Sequence, residues 1–210
     1  MTKFLVVFDV DSTLIEDEVI ELLADVAGSG AQVKEITDRA MAGEIDFSQS
    51  LLERVSTLEG LPVAVFDKVL AKIKPTQGVG TLIRAIHEAG GLVGAVSGGF
   101  TQLLDPLATQ LKLDFKQANE LEIIDGRLTG RVTGQIVDAS VKRDCLLAWA
   151  QVSGVSLEQT VAVGDGANDL LMMAASGLSI AFNAKPVVKQ SANLVVQKQN
   201  LEELLPVLGL

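Results

Sequence analysis

The sequence predicts an α/β fold built on a doubly wound parallel sheet, and two patterns along the chain support this prediction. Short apolar runs alternate with amphipathic helical patterns, as the strands and helices of a parallel sheet do. Each run is followed at once by small or polar residues, which should meet at the carboxyl edge of the sheet, where open α/β sheets bind ligands. The four runs are Phe4–Phe8, Leu92–Val96, Thr160–Val163 and Leu178–Phe182.

The segment after the first predicted strand breaks this alternation. Residues 15–74 contain consecutive helical patterns separated by glycines, with apolar residues three or four positions apart and no convincing strand. We therefore expect a helical cap domain at 15–74, inserted into a catalytic α/β core formed by residues 1–14 and 75–210. The stretch Pro75–Gly78 would return the chain to that core. The helical patterns begin near Val19, Val33, Phe47 and Val65.

A β-hairpin is predicted in the second half of the chain. Glu120–Ile124 and Arg127–Val132 flank the dipeptide Asp125-Gly126. This pair favours the tight type I′ turn, because both residues tolerate the positive φ that the turn requires. We expect the hairpin to project from the core or to form an edge of the sheet.

The composition narrows the class of protein. The chain of 210 residues has a net charge of −10, which argues against nucleic-acid binding, because phosphate recognition needs a basic surface. Its single cysteine, Cys145, excludes an internal disulfide and suits a reducing compartment. Its apolar runs are too short for a signal-peptide core or a membrane span. We therefore expect a cytoplasmic protein without nucleic-acid or membrane partners, in which the single histidine, His87, is not catalytic.

Two acidic motifs follow predicted strands. Asp9-Val10-Asp11-Ser12-Thr13 comes directly after the first apolar run, where it fits either a functional carboxylate pair or a turn and helix cap. Gly164–Asp169 follows the third run and approaches the dinucleotide pattern G-x-G-x-x-G. However, Asp169 replaces the third glycine, and Asp165 would repel a pyrophosphate. Because Mg²⁺ prefers a few carboxylates, waters and a phosphate oxygen, the motifs together favour a Mg²⁺ site formed by Asp9, Asp11 and Asp165.

A phosphate group beside so many carboxylates would need positive charge and hydrogen-bond donors. Lys142, near the start of a predicted helix, is the candidate cation, although an isolated lysine in such a position is more often solvated. Ser97-Gly98-Gly99 offers a hydroxyl and backbone N–H groups ahead of a helix, an arrangement that binds anions. The same three residues also fit a plain glycine-rich turn.

These segments, in this order, resemble the four motifs of the haloacid dehalogenase superfamily of phosphotransferases. The resemblance covers nearly the whole chain and extends into the predicted cap. It implies a Rossmann-like core and a Mg²⁺-dependent phosphatase that hydrolyses L-phosphoserine to L-serine and phosphate, the last step of serine biosynthesis. The alternative is a phosphotransferase or phosphatase of the same family that acts on another small phosphate ester. The matching cap residues are Glu18, Met41-Ala42-Gly43, Phe47 and Ser50–Val55.

The resemblance also implies a role for each matching core residue. Asp9 would be the nucleophile that forms an aspartyl-phosphate, and Asp11 would act as general acid and then as general base. Asp9, the backbone carbonyl of Asp11 and Asp165 would bind Mg²⁺, while Asp169 would order the water shell of the metal. The residues expected to bind the phosphate oxygens are Ser97, Gly98, Lys142 and Asn168.

The cap residues would recognise the amino-acid part of the substrate. Glu18 suits an ammonium group, and Arg54 suits a carboxylate, which a guanidinium binds through two parallel hydrogen bonds. Phe47 lies seven positions before Arg54 and hence on the same helix face, so that it can cover the site, and Met41 is expected to bind substrate as well. Longer relatives carry an N-terminal regulatory region; because Met1 lies close to the first strand, we expect none here.

Overall fold

The computed structural model describes residues 4–210 and confirms the predicted α/β fold. Its seven strands are β1 (Leu5–Phe8), β2 (Leu92–Phe100), β3 (Phe115–Ile124), β4 (Arg127–Thr133), β5 (Thr160–Gly164), β6 (Leu178–Phe182) and β7 (Leu194–Val196). They form one sheet in the order β4-β3-β2-β1-β5-β6-β7, in which only β4 is antiparallel to its neighbour. The four predicted runs correspond to β1, β2, β5 and β6.

The central strand β1 pairs with β2 on one side and with β5 on the other, and all four of its residues are buried. Val6 and Phe8 belong to one apolar cluster, while Leu5 and Val7 belong to another. Because successive side chains of a strand point to opposite faces, the sheet has an apolar core on each face. This explains why the first predicted run is continuously apolar rather than alternating.

Three strands differ from the sequence prediction, one of them because β3 begins at Phe115 rather than at Glu120. The glycine pair after Ser97 predicts that β2 ends at Val96, but the strand continues to Phe100, with a shift in its register against β3. Ser97-Gly98-Gly99 therefore forms a bulge within the strand, and the interpretation as a turn is wrong. β7 was not predicted, because three partly exposed residues are too short a signal for a strand.

Ten α-helices accompany the sheet in the described part of the chain, and the first five follow one another between β1 and β2. Within residues 4–210, no helix combines the length and the apolar character needed to cross a membrane. The helices are α1 (Val19–Ala27), α2 (Gly30–Met41), α3 (Phe47–Ser56), α4 (Val65–Leu70), α5 (Val79–Glu88), α6 (Thr101–Leu111), α7 (Ala139–Ser153), α8 (Leu170–Ala175), α9 (Pro186–Ser191) and α10 (Leu205–Leu208).

The segment that contains α1 to α4 leaves the sheet and returns to it at one place. Ile15 forms an antiparallel bridge with Pro75. Next to this bridge, the buried hydroxyl of Thr76 donates a hydrogen bond of 2.7 Å to the backbone carbonyl of Thr13. The outgoing and returning chains are thus held together immediately after the first acidic motif.

The predicted hairpin is present and forms one edge of the sheet. Asp125 and Gly126 have φ values of 50° and 73°, the positive values that a type I′ turn requires. The hairpin also contacts the loop between α3 and α4. The N–H of Gly60 donates to the carbonyl of Leu128 at 2.8 Å, and the N–H of Leu128 donates to the carbonyl of Leu61 at 2.9 Å. The helical segment therefore has a second attachment, distant in sequence from its connections to the sheet.

Candidate active site

Residues from the carboxyl ends of three strands meet at one cavity of about 900 Å³. Asp9 directly follows β1, Asp165 directly follows β5, and Gly98 lies in the bulge of β2. The parallel arrangement explains this convergence, because the carboxyl ends of neighbouring parallel strands share one edge of the sheet. The predicted site residues that line the cavity are Asp9, Asp11, Glu18, Met41, Phe47, Arg54, Gly98, Asp165 and Asn168.

The other three predicted residues are buried behind the cavity wall. Lys142, on α7, is fully buried, and its Nζ lies 2.6 Å from Asp9 Oδ1 and 2.8 Å from Asp169 Oδ1. Ser97 is also buried, and its hydroxyl accepts the N–H of Gly99 at 2.7 Å. Lys142 is therefore a buried partner of two carboxylates rather than the solvated lysine that its position alone would suggest.

Asp169 closes the turn that follows β5. Its Oδ2 accepts the N–H of Asp165 at 3.2 Å and the N–H of Gly166 at 3.0 Å. A Cβ built on Gly164 would lie only 2.4 Å from the same oxygen, so a side chain at this position would displace the Asp169 carboxylate. The glycines that resemble a dinucleotide motif instead allow a carboxylate to fold back onto its own turn.

Burial and crowding raise the pKa values of two carboxylates in this cluster, Asp9 and Asp165. Burial, followed by the charge of Asp169, raises the pKa of Asp9 from 3.8 to about 8, although Lys142 opposes this shift. The same two causes raise the pKa of Asp165 to about 6. Burial lowers the pKa of Lys142, but the charges of Asp169 and Asp9 and their hydrogen bonds raise it by more, so the ammonium group stays charged. One lysine therefore does not balance three carboxylates.

Asp9, Asp165 and Asp169 form a cluster that can hold a metal ion, because one carboxylate oxygen of each lies within 4.8 Å of the others. All the donors are oxygens, which hard divalent cations prefer. A cation here would offset the repulsion that raises the pKa values of Asp9 and Asp165. Both oxygens of Asp169 already accept hydrogen bonds, from Lys142 and from backbone N–H groups. The residues present fit a divalent metal site, and the carboxylate of Asp11 is not part of the cluster.

Asp11 lies in the segment Val10–Leu14 that follows β1, where the backbone of Asp11 (φ −64°, ψ 134°) and of Ser12 (φ 57°, ψ 6°) is not helical. Burial, then the charges of Glu18 and Asp9, raise the pKa of Asp11 well above its usual range. Its Oδ1 is buried and has no hydrogen-bond partner within residues 4–210. A carboxyl group in these surroundings favours its protonated form, which is the state that a general acid needs.

The helical segment supplies the opposite wall of the cavity. Glu18 accepts a hydrogen bond of 2.7 Å from the hydroxyl of Ser12. Arg54 donates from Nε to the carbonyl of Ser50 at 3.2 Å; burial lowers its pKa, while the charges of Glu18, Asp11 and Glu21 oppose that change. Glu18 and Arg54 thus place one negative and one positive group in the same cavity.

Phe47 and Met41 lie at the same wall. A Cβ built on Gly98 would be 3.0 Å from the ring of Phe47, so glycine at this position lets the aromatic ring approach the bulge of β2. Met41, at the end of α2, is 74% exposed. Phe47 and Arg54 line the cavity from one face of α3, as their spacing predicts.

Two residues that were not predicted as site residues donate hydrogen bonds to predicted site residues. Ser12 lies inside the first motif, but nothing in its spacing indicates the contact with Glu18. Asn119, in the first strand of the hairpin, donates to the carbonyl of Gly98 at 2.9 Å. His87 lies instead in the last turn of α5, with its Nε2 3.0 Å from Asp114 Oδ2, and it does not line the cavity.

Comparisons with known proteins place these features in a family. A model of the haloacid dehalogenase-like hydrolases matches residues 5–177. The chain belongs to this hydrolase family, as the sequence motifs indicate. It is 57% identical over 206 residues to phosphoserine phosphatase of Streptomyces coelicolor, covering 98% of this chain and 50% of that relative. It is 49% identical over 206 residues to phosphoserine phosphatase of Streptococcus thermophilus, covering 98% of this chain and 96% of that relative.

Solved structures show the same similarity in three dimensions. A phospho-aspartyl intermediate analogue of phosphoserine phosphatase gives a TM-score of 0.93 at 42% identity, with 99% of each chain covered. A substrate-bound phosphoserine phosphatase complex gives the same values. The chain spans about half the length of some curated relatives, including the one from Streptomyces coelicolor, and nearly the full length of others.

Proposed function

We propose that this chain is a Mg²⁺-dependent phosphatase that hydrolyses L-phosphoserine to L-serine and inorganic phosphate through an aspartyl-phosphate on Asp9. The observation that carries the proposal is the position of Asp9. It lies in the cavity wall, hydrogen-bonded to buried Lys142 and close to Asp11, a carboxyl with a raised pKa. The names of the relatives at 49% and 57% identity support the same substrate.

The nucleophile would be the carboxylate of Asp9. Lys142 binds its Oδ1, which leaves Oδ2 as the oxygen for attack on phosphorus. A bond forms between Oδ2 and phosphorus as the bond from phosphorus to the seryl oxygen breaks. Asp11 gives its proton to the departing seryl oxygen and then removes a proton from the water that hydrolyses the aspartyl-phosphate. The phosphate and a regenerated Asp9 carboxylate complete the cycle.

We propose that four residues would bind the phosphate oxygens during transfer. Gly98 and Asn168 line the cavity, while Ser97 and Lys142 lie directly behind its wall. Since the hydroxyl of Ser97 already accepts the N–H of Gly99, its own hydrogen is free to be donated to a phosphate oxygen. Preorganised donors of this kind stabilise the charge of the transferred group without further reorganisation.

The metal would be held by Asp9, Asp165 and the backbone carbonyl of Asp11, with Asp169 ordering the waters around it. When bound, Mg²⁺ would supply positive charge between the phosphate and the carboxylates, which would otherwise repel each other. The choice of Mg²⁺ rests on the oxygen donors and the small number of carboxylates. Asp169 closes the turn after β5 and binds Lys142, which in turn orients the Asp9 carboxylate.

We propose that residues 15–74 form a cap domain on a core of residues 1–14 and 75–210. Selectivity for the phosphate ester of an amino acid would come from this cap. Glu18 would bind the substrate ammonium group, and Arg54 would bind its carboxylate. Phe47 and Met41 would cover the substrate and exclude water. The cytoplasmic location and the place in serine biosynthesis stay predictions.

A phosphate-release assay with Mg²⁺ tests the proposal. We expect phosphoserine to be hydrolysed much faster than phosphoethanolamine, which lacks the carboxylate that Arg54 would bind, and faster than sugar phosphates. Asp9→Asn should abolish release while its circular dichroism spectrum stays that of the wild type. Equal turnover of phosphoserine and phosphoethanolamine would favour the alternative, a phosphatase or phosphotransferase for another small ester. Substantial turnover by Asp9→Asn would exclude covalent catalysis by this residue.

A further inference from the structure

The buried side chain of Asn119 contacts β2, which carries Ser97 and Gly98, and the segment that leads into α7, the helix that carries Lys142. Its Nδ2 donates to the carbonyl of Gly98 at 2.9 Å, and its Oδ1 accepts the N–H of Val137 at 2.8 Å. Asn119 is only 1% exposed and does not line the cavity. A buried amide that joins two distant backbone segments fixes their separation, because leaving either partner unpaired is costly.

On the side of β2, this amide continues into a chain of hydrogen bonds that ends at Ser97. β2 and β3 pair Val96 with Gln117 and Phe100 with Asn119, so three residues of β2 lie opposite one residue of β3. The Gly98 carbonyl and the Gly99 N–H belong to one planar peptide group. Asn119 holds the carbonyl end, and the N–H end donates to Ser97 Oγ at 2.7 Å. Rotation of this peptide would therefore move the Ser97 hydroxyl.

On the other side, the same amide holds the start of α7. Val137 immediately precedes Asp138, whose carboxylate caps the helix by accepting the N–H of Val141 at 2.9 Å. Lys142 follows one turn later, and its own N–H donates to the carbonyl of Asp138 at 3.0 Å. The position of Val137 thus determines where α7 begins and how far Lys142 reaches toward Asp9.

We propose that Asn119 is a positioning residue that sets the separation between the Ser97 hydroxyl and the Lys142 ammonium group, and so shapes the site for a phosphate group. The inference rests on the proposed function, which assigns phosphate to these two residues and the amino-acid part of the substrate to Glu18 and Arg54. Misplacing such groups by about 1 Å can cost about 100-fold, so a residue outside the cavity can control affinity. The ammonium and carboxylate of the substrate are bound elsewhere, by Glu18 and Arg54, and should not depend on Asn119.

Two variants and one matched control test this. Asn119→Leu keeps the approximate side-chain volume and removes both hydrogen bonds. Asn119→Ala removes the same bonds and cannot introduce a steric clash of leucine methyl groups with the backbone. The control is Gln102→Met on α6. The amide of Gln102 also joins two backbone groups, donating to the carbonyl of Leu121 at 2.9 Å and accepting its N–H at 3.3 Å. It bonds to β3, the strand that contains Asn119, and within residues 4–210 it makes no side-chain hydrogen bond to a predicted site residue.

Calorimetry with saturating Mg²⁺ would measure the binding of inorganic phosphate, and inhibition assays would measure the affinity for L-serine. For both Asn119 variants we expect phosphate binding to weaken about 10- to 100-fold, because its donors are displaced, while the affinity for L-serine stays that of the wild type. Gln102→Met should lower the melting temperature to a similar degree and leave phosphate binding unchanged.

Unchanged phosphate binding in the Asn119 variants would overturn the proposal, as would an equal loss of phosphate and serine affinity. An equal loss of phosphate affinity in Gln102→Met would show that any disturbance of β3 weakens phosphate binding, which would also overturn the proposal. Failure of both Asn119 variants to fold would assign Asn119 a purely structural role instead. A wild-type chain that binds phosphate but does not hydrolyse phosphoserine would contradict the proposed function and would leave this comparison intact.

Discussion

Replacing Lys142 by methionine tests the charge balance around Asp9, the proposed nucleophile. Methionine preserves much of the aliphatic volume but removes the ammonium group that binds Asp9 at 2.6 Å and Asp169 at 2.8 Å. Lys142 and Asp169 are 0% exposed, so water cannot replace the lost bonds. Breaking a buried ion pair by removing one partner costs about 3–5 kcal/mol, because a charge is left buried and unpaired.

The loss should be measured by urea unfolding without metal, above pH 8, where Asp9 of the wild type carries its charge since its pKa is about 8. Because Lys142 opposes the rise in that pKa, Asp9 of the variant is left as an unpaired charge or takes up a proton, and either state destabilises the fold at this pH. With a slope of about 2 kcal/mol per molar urea, the expected loss moves the midpoint down by about 2 M. Adding Mg²⁺ should restore part of the stability, because a bound cation offsets the same carboxylates. Lys34→Met, which removes an exposed pair with Asp38, is the control and should leave the midpoint unchanged.

A double variant keeps the test decisive if Lys142→Met unfolds the chain. In Lys142→Met with Asp169→Asn, one of the two unpaired charges is removed, while the asparagine carbonyl still accepts a backbone N–H of the turn. We expect this double variant to be more stable than Lys142→Met alone. A loss below about 1 kcal/mol in Lys142→Met, or simple addition of the two single effects, would refute the claim that these groups form one buried network.

Three further predictions concern the proposed binding of the substrate by Arg54 and Glu18, and the cysteine. Arg54→Met should raise the KM for phosphoserine about 10- to 100-fold, because a charge-assisted bond is lost, and leave phosphoethanolamine turnover unchanged in the same kinetic assay. Ser12→Ala removes the 2.7 Å hydrogen bond to Glu18 and should raise the KM for phosphoserine several-fold. Hydrolysis of p-nitrophenyl phosphate, which has no ammonium group, should be unaltered, and a changed rate for it would contradict this prediction. Burial, then the charge of Asp144, raises the pKa of the Cys145 thiol from 9.0 to about 11. Because the thiolate is the reactive form, iodoacetamide should alkylate Cys145 at neutral pH about 100-fold more slowly in the folded chain than in the urea-unfolded chain, as followed by mass spectrometry. Equal rates in the folded and unfolded chains would contradict the shift.

The sequence predicts the central part of the fold well, because the structure of each segment there depends mainly on the residues of that segment. Parallel strands buried on both faces read as continuous apolar runs, as β1 does. The Asp125-Gly126 turn is predictable because few residue pairs adopt two successive positive φ values. Where structure depends on pairing with a distant segment, the prediction fails. Ser97-Gly98-Gly99 has the composition of a turn, yet pairing with β3 keeps it within a strand.

The same distinction holds for the candidate site. Motif residues at strand ends were predictable, because the carboxyl edge of a parallel sheet brings them together. The burial of Lys142 could not be read from its own segment, since it depends on Asp9 and Asp169, which are 133 and 27 positions away. Asn119 gave no signal either, because its partners are backbone groups, which have no sequence signature.

The central claim is that Asp9 carries a covalent phosphoryl group during turnover. The direct measurement is acid quenching of the wild-type chain during phosphoserine hydrolysis, followed by borohydride reduction, which converts an aspartyl-phosphate to homoserine, and by peptide mass spectrometry. We predict homoserine at position 9 in the quenched enzyme and none in samples without substrate. Homoserine at position 11, a phosphoryl group on Ser97, or active turnover with no modified residue would exclude Asp9 as the residue that carries the phosphoryl group.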